Sequence, residues 1–264
     1  GGAVFNEDSA DVDFRVESNG NANMLFVDGG NDRVGLGTAA PAATLDVGGG
    51  LIADPTIRID SASGGDPTLI FDGSAANRSG LIKFYDNGST TGGFISYLHN
   101  GDVMNFGAGT TGTASLTVGD GYVQMPTQPS FSVTPSGVQS NFAVGSHTTV
   151  VFDTEIFDVG GNFASNTFTA PVTGKYQLSM RVDLQNIDTA AGFYQYRIET
   201  SNRAYANTFD PDHMDSDTIY YGVNLSQLVD MDADDTATVG VYQSSGTQQS
   251  DLGTGSAFNG ILVG

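Results

Sequence analysis

The sequence predicts an all-β protein: a Gly-rich β shaft over residues 1–127, followed by a β-sandwich head over 128–264. Three observations predict it. No segment sustains the 3.6-residue apolar period of a helix, and apolar residues alternate instead in short runs. Turn formers such as Asn19-Gly20, Asn87-Gly88, Asn100-Gly101 and Asp120-Gly121 separate these runs, and such pairs accept the positive φ of tight β-turns. Glycine supplies 36 of 264 residues, about twice ordinary usage, and 23 of them precede residue 128.

The shaft strands are read in chain order at Val12–Val16, Met24–Val27, Thr56–Asp60, Thr68–Phe71, Leu81–Tyr85, Phe94–Leu98, Val103–Phe106, Leu116–Val118 and Tyr122–Met125. Each is short and carries about one large apolar side chain per face, so a single copy buries little. Units of this kind need neighbours along the chain or from other chains. A homotrimer of intertwined strands satisfies the need, with Gly permitting close backbone approach; a monomeric Gly-rich β-solenoid is the alternative. Met125-Pro126-Thr127-Gln128-Pro129-Ser130 breaks the pattern and reads as a short linker. Beyond it, Phe168 sits on a strand that ends at Pro171, which lacks a backbone donor. Gly174 allows a sharp turn before Tyr176, Leu178 and Met180, which alternate on one face. Tyr194, Tyr196 and Ile198 do the same, as do Ala237, Val239 and Val241.

In the first half, Asn31-Asp32-Arg33-Val34-Gly35-Leu36-Gly37-Thr38, followed by Pro41 and Thr44-Leu45-Asp46-Val47, resembles a phrase common in bacteriophage tail-fibre and related virion appendage proteins. Phe5–Asp8, Asp11–Glu17, Ala22–Asp28 and Gly80–Asp86 resemble those fibres too, so the likeness covers residues 4–125. It implies a structural shaft. In the second half, Phe152, Asp158, Phe163, Phe168, Gly174 and Tyr176 resemble the signature F-x5-[ND]-x4-[FYWL]-x6-F-x5-G-x-Y-x-F-x-[FY] of the C1q/TNF-like globular head. The Phe163–Phe168 gap is four residues rather than six, and Leu178 and Met180 stand where aromatics are usual, which points to a divergent branch. Pro129–Val133 looks like the opening strand, and Phe258 and Gly260 fit the closing strand. The resemblance implies a ten-stranded jelly roll that assembles as a compact trimer.

Charge excludes several classes of function. Nine basic against 30 acidic residues give a net charge of −21, which disfavours nucleic acid and anionic membrane surfaces. No apolar run exceeds four residues, so no membrane insertion is expected. The chain has no Cys, which removes disulfides, thiolate metal sites and a cysteine nucleophile. It opens Gly1-Gly2 without Met, the expectation being a fragment or processed product. His99, His147 and His213 join no recognisable catalytic phrase, and no G-x-S-x-G elbow occurs, so no catalytic residue is assigned.

Two acidic runs bear on metal. Asp230–Asp235 fails the EF-hand spacing, because Asp235 occupies the Gly position, and reads as a solvated turn. Asp210, Asp212, Asp215 and Asp217 place several oxygens in one polar loop and are the calcium candidates; a plain acidic loop is the alternative. For a ligand surface, Asn202, Arg203, Tyr205 and Asn207 combine aromatic and polar groups suited to sugars or protein surfaces. Phe193, Tyr194, Tyr220 and Tyr221 share that polar, loop-like setting, and on the competing reading Tyr194, Tyr220 and Tyr221 are strand residues of the sandwich or trimer interface. The Ser/Gln/Gly-rich stretch 243–254 is a tip element or a solvated connection.

The expectation is a non-enzymatic homotrimeric virion fibre, located on the extracellular particle, whose head binds a host-surface glycan or protein. It would also contact other virion proteins. A virion connector or decoration protein, a bacterial extracellular adhesin and a depolymerase are the alternatives.

Overall fold

Period-2 patterning becomes strands throughout the computed structural model, which describes residues 5, 11–47, 78–84, 92–108 and 112–264. The strands expected at 56–60 and 68–71, the Asn87-Gly88 turn, residues 6–8 and the Tyr85-Asp86 end of one fibre-like phrase lie outside the described residues. Contacts divide the chain into two compact units, Gly1–Ile70 and Phe71–Gly264.

The first unit holds a four-stranded sheet in sequence order: β1 (Phe14–Val16), β2 (Leu25–Asp28), β3 (Arg33–Leu36) and β4 (Leu45–Val47). The β3–β4 pair is parallel and the others antiparallel. The fibre-like phrase has a local explanation. Asp28 accepts the Asn31 backbone N–H at 2.9 Å and so closes the β2–β3 turn. Gly37 has φ 78° and donates to Asn23 O at 2.8 Å. A Cβ on Gly35 would stand 2.5 Å from Thr38 O, so only glycine fits there.

The second unit begins with an antiparallel meander of β5 (Ser79–Lys83), β6 (Phe94–Leu98), β7 (Val103–Gly107), β8 (Leu116–Gly119) and β9 (Tyr122–Gln124). Gly101 and Gly121, at φ 101° and 76°, supply the positive dihedrals its two tightest turns need. Register places Ile82, Ile95, Tyr97, Met104, Phe106, Leu116, Val118 and Val123 on one face. No described residue buries that face: Val123 is 65% exposed, and Ile82, Met104 and Val118 remain well exposed.

Twelve further strands build the head: β10 (Ser130–Thr134), β11 (His147–Thr149), β12 (Thr154–Val159), β13 (Phe163–Ala164), β14 (Thr167–Thr169), β15 (Gly174–Ile187), β16 (Tyr194–Thr200), β17 (Ala204–Phe209), β18 (Thr218–Met231), β19 (Thr236–Gln243), β20 (Asp251–Leu252) and β21 (Ala257–Leu262). One sheet runs β12-β10-β21-β15-β18, with β20 on β15; the other runs β13-β14-β19-β16-β17, with β11 on β19. From β14 onward the chain crosses repeatedly between the sheets, and every pairing between these strands is antiparallel. This is a jelly-roll β-sandwich.

Strand β15 shows how the sequence makes the core. Tyr176, Leu178, Met180, Val182 and Leu184 point inward and are buried, while the intervening residues face out. Asn186, at φ 56°, shifts the alternation so that Ile187 is buried next. The aromatic signature converges on one cluster. Phe131 lies 4.7 Å from Phe168, 5.0 Å from Phe258 and 5.2 Å from Phe163, ring centre to ring centre. Such pairs add about 0.5–1.5 kcal/mol each beyond area burial. Phe152 packs against Phe258, and the buried Tyr176 donates its hydroxyl to Val172 O at 2.8 Å. Asp158 earns its place in the signature by accepting the backbone N–H groups of Asn162 and Phe163, at 3.0 and 2.8 Å, which shapes the turn into β13. A Cβ on Gly174 would stand 2.7 Å from the Leu262 side-chain tip, so glycine lets Leu262 pack closely where β15 begins.

Candidate functional site

The four residues expected to meet a ligand divide between two environments. Asn202 and Arg203 occupy the β16–β17 turn, closed by Thr200 and Arg203 bonding to one another through backbone and hydroxyl. Asn202 Nδ2 donates to Asp235 Oδ2 at 2.8 Å, and Arg203 approaches Asp230 at 3.3 Å with both side chains largely exposed. Tyr205 and Asn207 instead pair with Ile198 and Tyr196 and share one face of β17, where Tyr205 is half-buried and Asn207 stays exposed. Tyr205 packs against the core. The structure therefore brings Asn202 and Arg203 together and separates them in orientation from Tyr205 and Asn207.

The second acidic run, read as a turn before β19, is a turn with a defined task. Asp235 accepts Ser201 Oγ at 2.6 Å, the Asp232 N–H at 2.8 Å and Asn202 Nδ2, tying the β18–β19 turn to the β16–β17 turn. Those bonds, led by the one from Ser201, hold the Asp235 carboxyl below its ordinary range. A hollow of about 280 Å³ lies at this end of the sandwich, between Lys175, Asn202, Asp230 and Asp232.

The four calcium candidates are not gathered into one site. Asp210 caps the short 3-10 turn Pro211–His213 by accepting the Asp212 N–H at 2.9 Å. Asp217 turns elsewhere, accepting the backbone N–H and hydroxyl of Thr189 at 2.9 and 2.7 Å, and these bonds lower its carboxyl. Local donors thus take up oxygens that a cation would need. Among the described residues, no three His, Asp or Glu side chains group to hold a metal.

The stretch after Gln243 is pinned rather than loose. Asp188, only 2% exposed, accepts the backbone N–H groups of Ala190, Thr247 and Gln248 at 2.9, 2.5 and 2.7 Å. Tyr194 OH contacts Ser250 Oγ at 2.7 Å, and the fully buried Gln243 donates to Ser245 O and Gln248 O. Periodicity alone missed this, because the anchors are polar residues far apart in sequence.

Sequence reasoning also missed a group on the outer face of β11, β16 and β19. His147 and Tyr242 face each other across β11 and β19, with ring centres 4.8 Å apart. Phe193 extends the row, 5.6 Å from Tyr242 at an interplanar angle of 29°. Arg197 lies over Gly240, where a Cβ would come within 3.3 Å of Nε. Its terminal nitrogens meet Glu199 at 2.5 Å and His147 Nε2 at 3.3 Å, while Nε is buried with no partner among the described residues. Burial and then Arg197 push the His147 imidazole below its ordinary value, which keeps it neutral at pH 7. The only sequence signal was the lone Phe193 in a polar setting.

The opposite sheet has a different outer face. Val159, Ser130, Ile261, Gln177 and Leu228 form one row across five of its six strands. Phe157, Ser132, Asn259, Ser179 and Ser226 form the next. Phe157, Leu228 and Ile261 are 46–49% exposed and stand among short polar side chains.

No family model matches the chain, and no curated protein matches it. Solved structures similar to it include the globular domain of zebrafish complement 1qA, at 17% identity, covering 52% of this chain and 98% of that one with a TM-score of 0.37. Two crystal structures of murine APRIL, at pH 8.5 and pH 8.0, are 11% and 12% identical, with TM-scores of 0.38 and 0.39. Each covers 52% of this chain and 99% of its own.

Proposed function

We propose that the protein is a non-enzymatic homotrimeric virion fibre, exposed on the particle, whose C-terminal head attaches to the host cell surface. The observation that carries this reading is the uneven distribution of buried apolar side chains. Among the described residues before Phe131, Phe26 is the one buried large hydrophobic side chain, whereas the head encloses 25 buried apolar residues of its own. Two sheets with bare apolar faces gain stability only by packing against something. Copies of the same chain supply identical faces at no cost in specificity, and closed symmetry avoids open-ended aggregation. The Phe157, Ile261 and Leu228 face of the head suits the same association. The fibre-like phrase at Asn31–Thr38 supports placement on a virion, where the head would also meet other virion proteins. Three identical heads on one fibre would bind a repetitive surface by avidity rather than through one deep pocket.

Two measurements test the proposal. Sedimentation velocity on the full chain should give three times the 27.4 kDa chain mass, unchanged on tenfold dilution; a monomer would overturn the assembly. Purified protein should adsorb to cells from a bacterial panel and protect the bound strain from phage infection. A trimer that adsorbs to no strain would favour a connector or decoration role.

A further inference from the structure

We propose that the outer face of β11, β16 and β19 is a binding site for an uncharged saccharide, built from the His147–Tyr242–Phe193 ring row and the Arg197–Glu199 pair. The inference deepens the host-attachment reading, since it assigns the ligand class and the residues that read it.

Four features support it. First, the rings form a continuous row at the surface: Phe193 is 37% exposed, His147 is exposed and Tyr242 half-buried. Sugar rings present an apolar C–H face, and exposed aromatic side chains are the partners such a face packs against. Second, hydrogen-bonding groups stand directly beside the rings. Gln195 pairs with Tyr242 and Arg197 with Gly240 in adjacent rows of the sheet, so amide, guanidinium and carboxylate line one side of the platform. Arg offers donors in a fixed fork and Glu offers acceptors, the combination that engages neighbouring hydroxyls.

Third, the site is held rigid. Phe193 is clamped by Ser244, whose hydroxyl accepts the Phe193 N–H at 2.8 Å and whose own N–H donates to Phe193 O at 3.0 Å. Gly240 leaves the notch in which Arg197 lies, and the guanidinium keeps its place even though Nε has no partner among the described residues. A buried unpaired donor is a stability cost that a core would normally remove, and such violations concentrate where a side chain is held for use. Fourth, the charges select the ligand. Arg197 and Glu199 offset each other, and a chain of net charge −21 repels anionic glycans. The platform also lies on the sheet opposite the Phe157, Ile261 and Leu228 face, so trimer formation through that face leaves it open.

The experiment uses the full chain on an array of neutral oligosaccharides, such as maltotriose, cellotriose and the N-acetylglucosamine trimer, beside sialylated and uronate-bearing counterparts. Hits are followed by titration calorimetry. Neutral oligosaccharides should bind, and Tyr242→Ala and Arg197→Gln should each weaken them at least tenfold. Arg15→Ala, on the exposed surface of β1 and outside the platform, should stay within twofold. Should Tyr242→Ala melt early, Phe193→Ala outside the strand repeats the test. Binding to anionic glycans alone, binding to none, or binding indifferent to these variants would overturn the site. The same variants separate this inference from the parent reading in the cell-adsorption assay. Undiminished adsorption by Tyr242→Ala would overturn the saccharide site while host attachment stands. Array binding that depends on Tyr242, with no adsorption to any strain, would overturn host attachment and retain the site.

Discussion

Gly260 concentrates the logic of the head in one residue. It sits on β21 between β10 and β15, and a Cβ there would stand 2.4 Å from Phe131 and 2.7 Å from Leu178. The glycine is the space into which the Phe131 ring packs. Gly260→Val should therefore push apart the Phe131, Phe163, Phe168 and Phe258 cluster and cost about 2–3 kcal/mol, the usual range for overpacking. Chemical denaturation should show a lower midpoint at an unchanged slope, and an unaltered midpoint would contradict the packing account. At this scale the sequence was informative. Phe152, Asp158, Phe163, Phe168, Gly174, Tyr176, Phe258 and Gly260 were all singled out in advance, and each has a definite role in the structure. Tyr205 and Asn207 were less legible. Their polar character suggested a surface, which Asn207 keeps, whereas the register of β17 sets Tyr205 against the core.

Elements were legible where the pattern is regular and obscure where polar groups organise the chain. Strands β15 and β19 follow simple alternation, so their inward faces could be read directly. The stretch after Gln243 could not, because its order depends on Asp188 reaching across to Thr247 and Gln248, 59 and 60 residues away. Asp188→Ala would remove the buried acceptor of those part-buried backbone donors, at a cost of about 1–3 kcal/mol. Hydrogen exchange should accelerate at Thr247 and Gln248 in this variant, and protease cleavage should appear near Ser244–Gln249. Unchanged exchange would mean that Gln243 and Ser250 hold the loop by themselves. The acidic run Asp210–Asp217 teaches the same lesson. Composition suggested oxygens in one place, but a 3-10 cap and Thr189 draw Asp210 and Asp217 into separate bonds.

Across the whole molecule, the sheets of residues 11–47 and 79–124 and the sandwich after 130 differ in how far one copy completes itself. Among the described residues before Phe131, Phe26 is the one buried large hydrophobic side chain, whereas the Phe, Leu, Val and Ile side chains of the head close a core of their own, as its length and patterning suggest. Contacts group β5–β9 with the head in one unit, Phe71–Gly264, whereas the sequence pattern suggests a boundary at 127/128, in the proline-flanked segment between β9 and β10. A fragment of residues 128–264 should then unfold in one cooperative transition at a temperature independent of its concentration. A fragment of residues 1–127 should show a midpoint that rises with concentration, because association completes its faces. A concentration-independent midpoint for the latter would contradict completion by neighbouring copies.

The sequence by itself determined the strand-rich class, the inward faces of the long strands, the positions where only glycine fits and the acidic surface. Each of these follows from local sterics or from simple alternation along one strand. Tertiary structure alone decided which polar residues share a bond, as Asp188 does with Thr247 and Asp235 with Ser201, and which side chains meet on an outer sheet face, as His147, Tyr242, Phe193 and Arg197 do. Those encounters depend on register between strands that are distant in the chain, and nothing in a local pattern encodes that register.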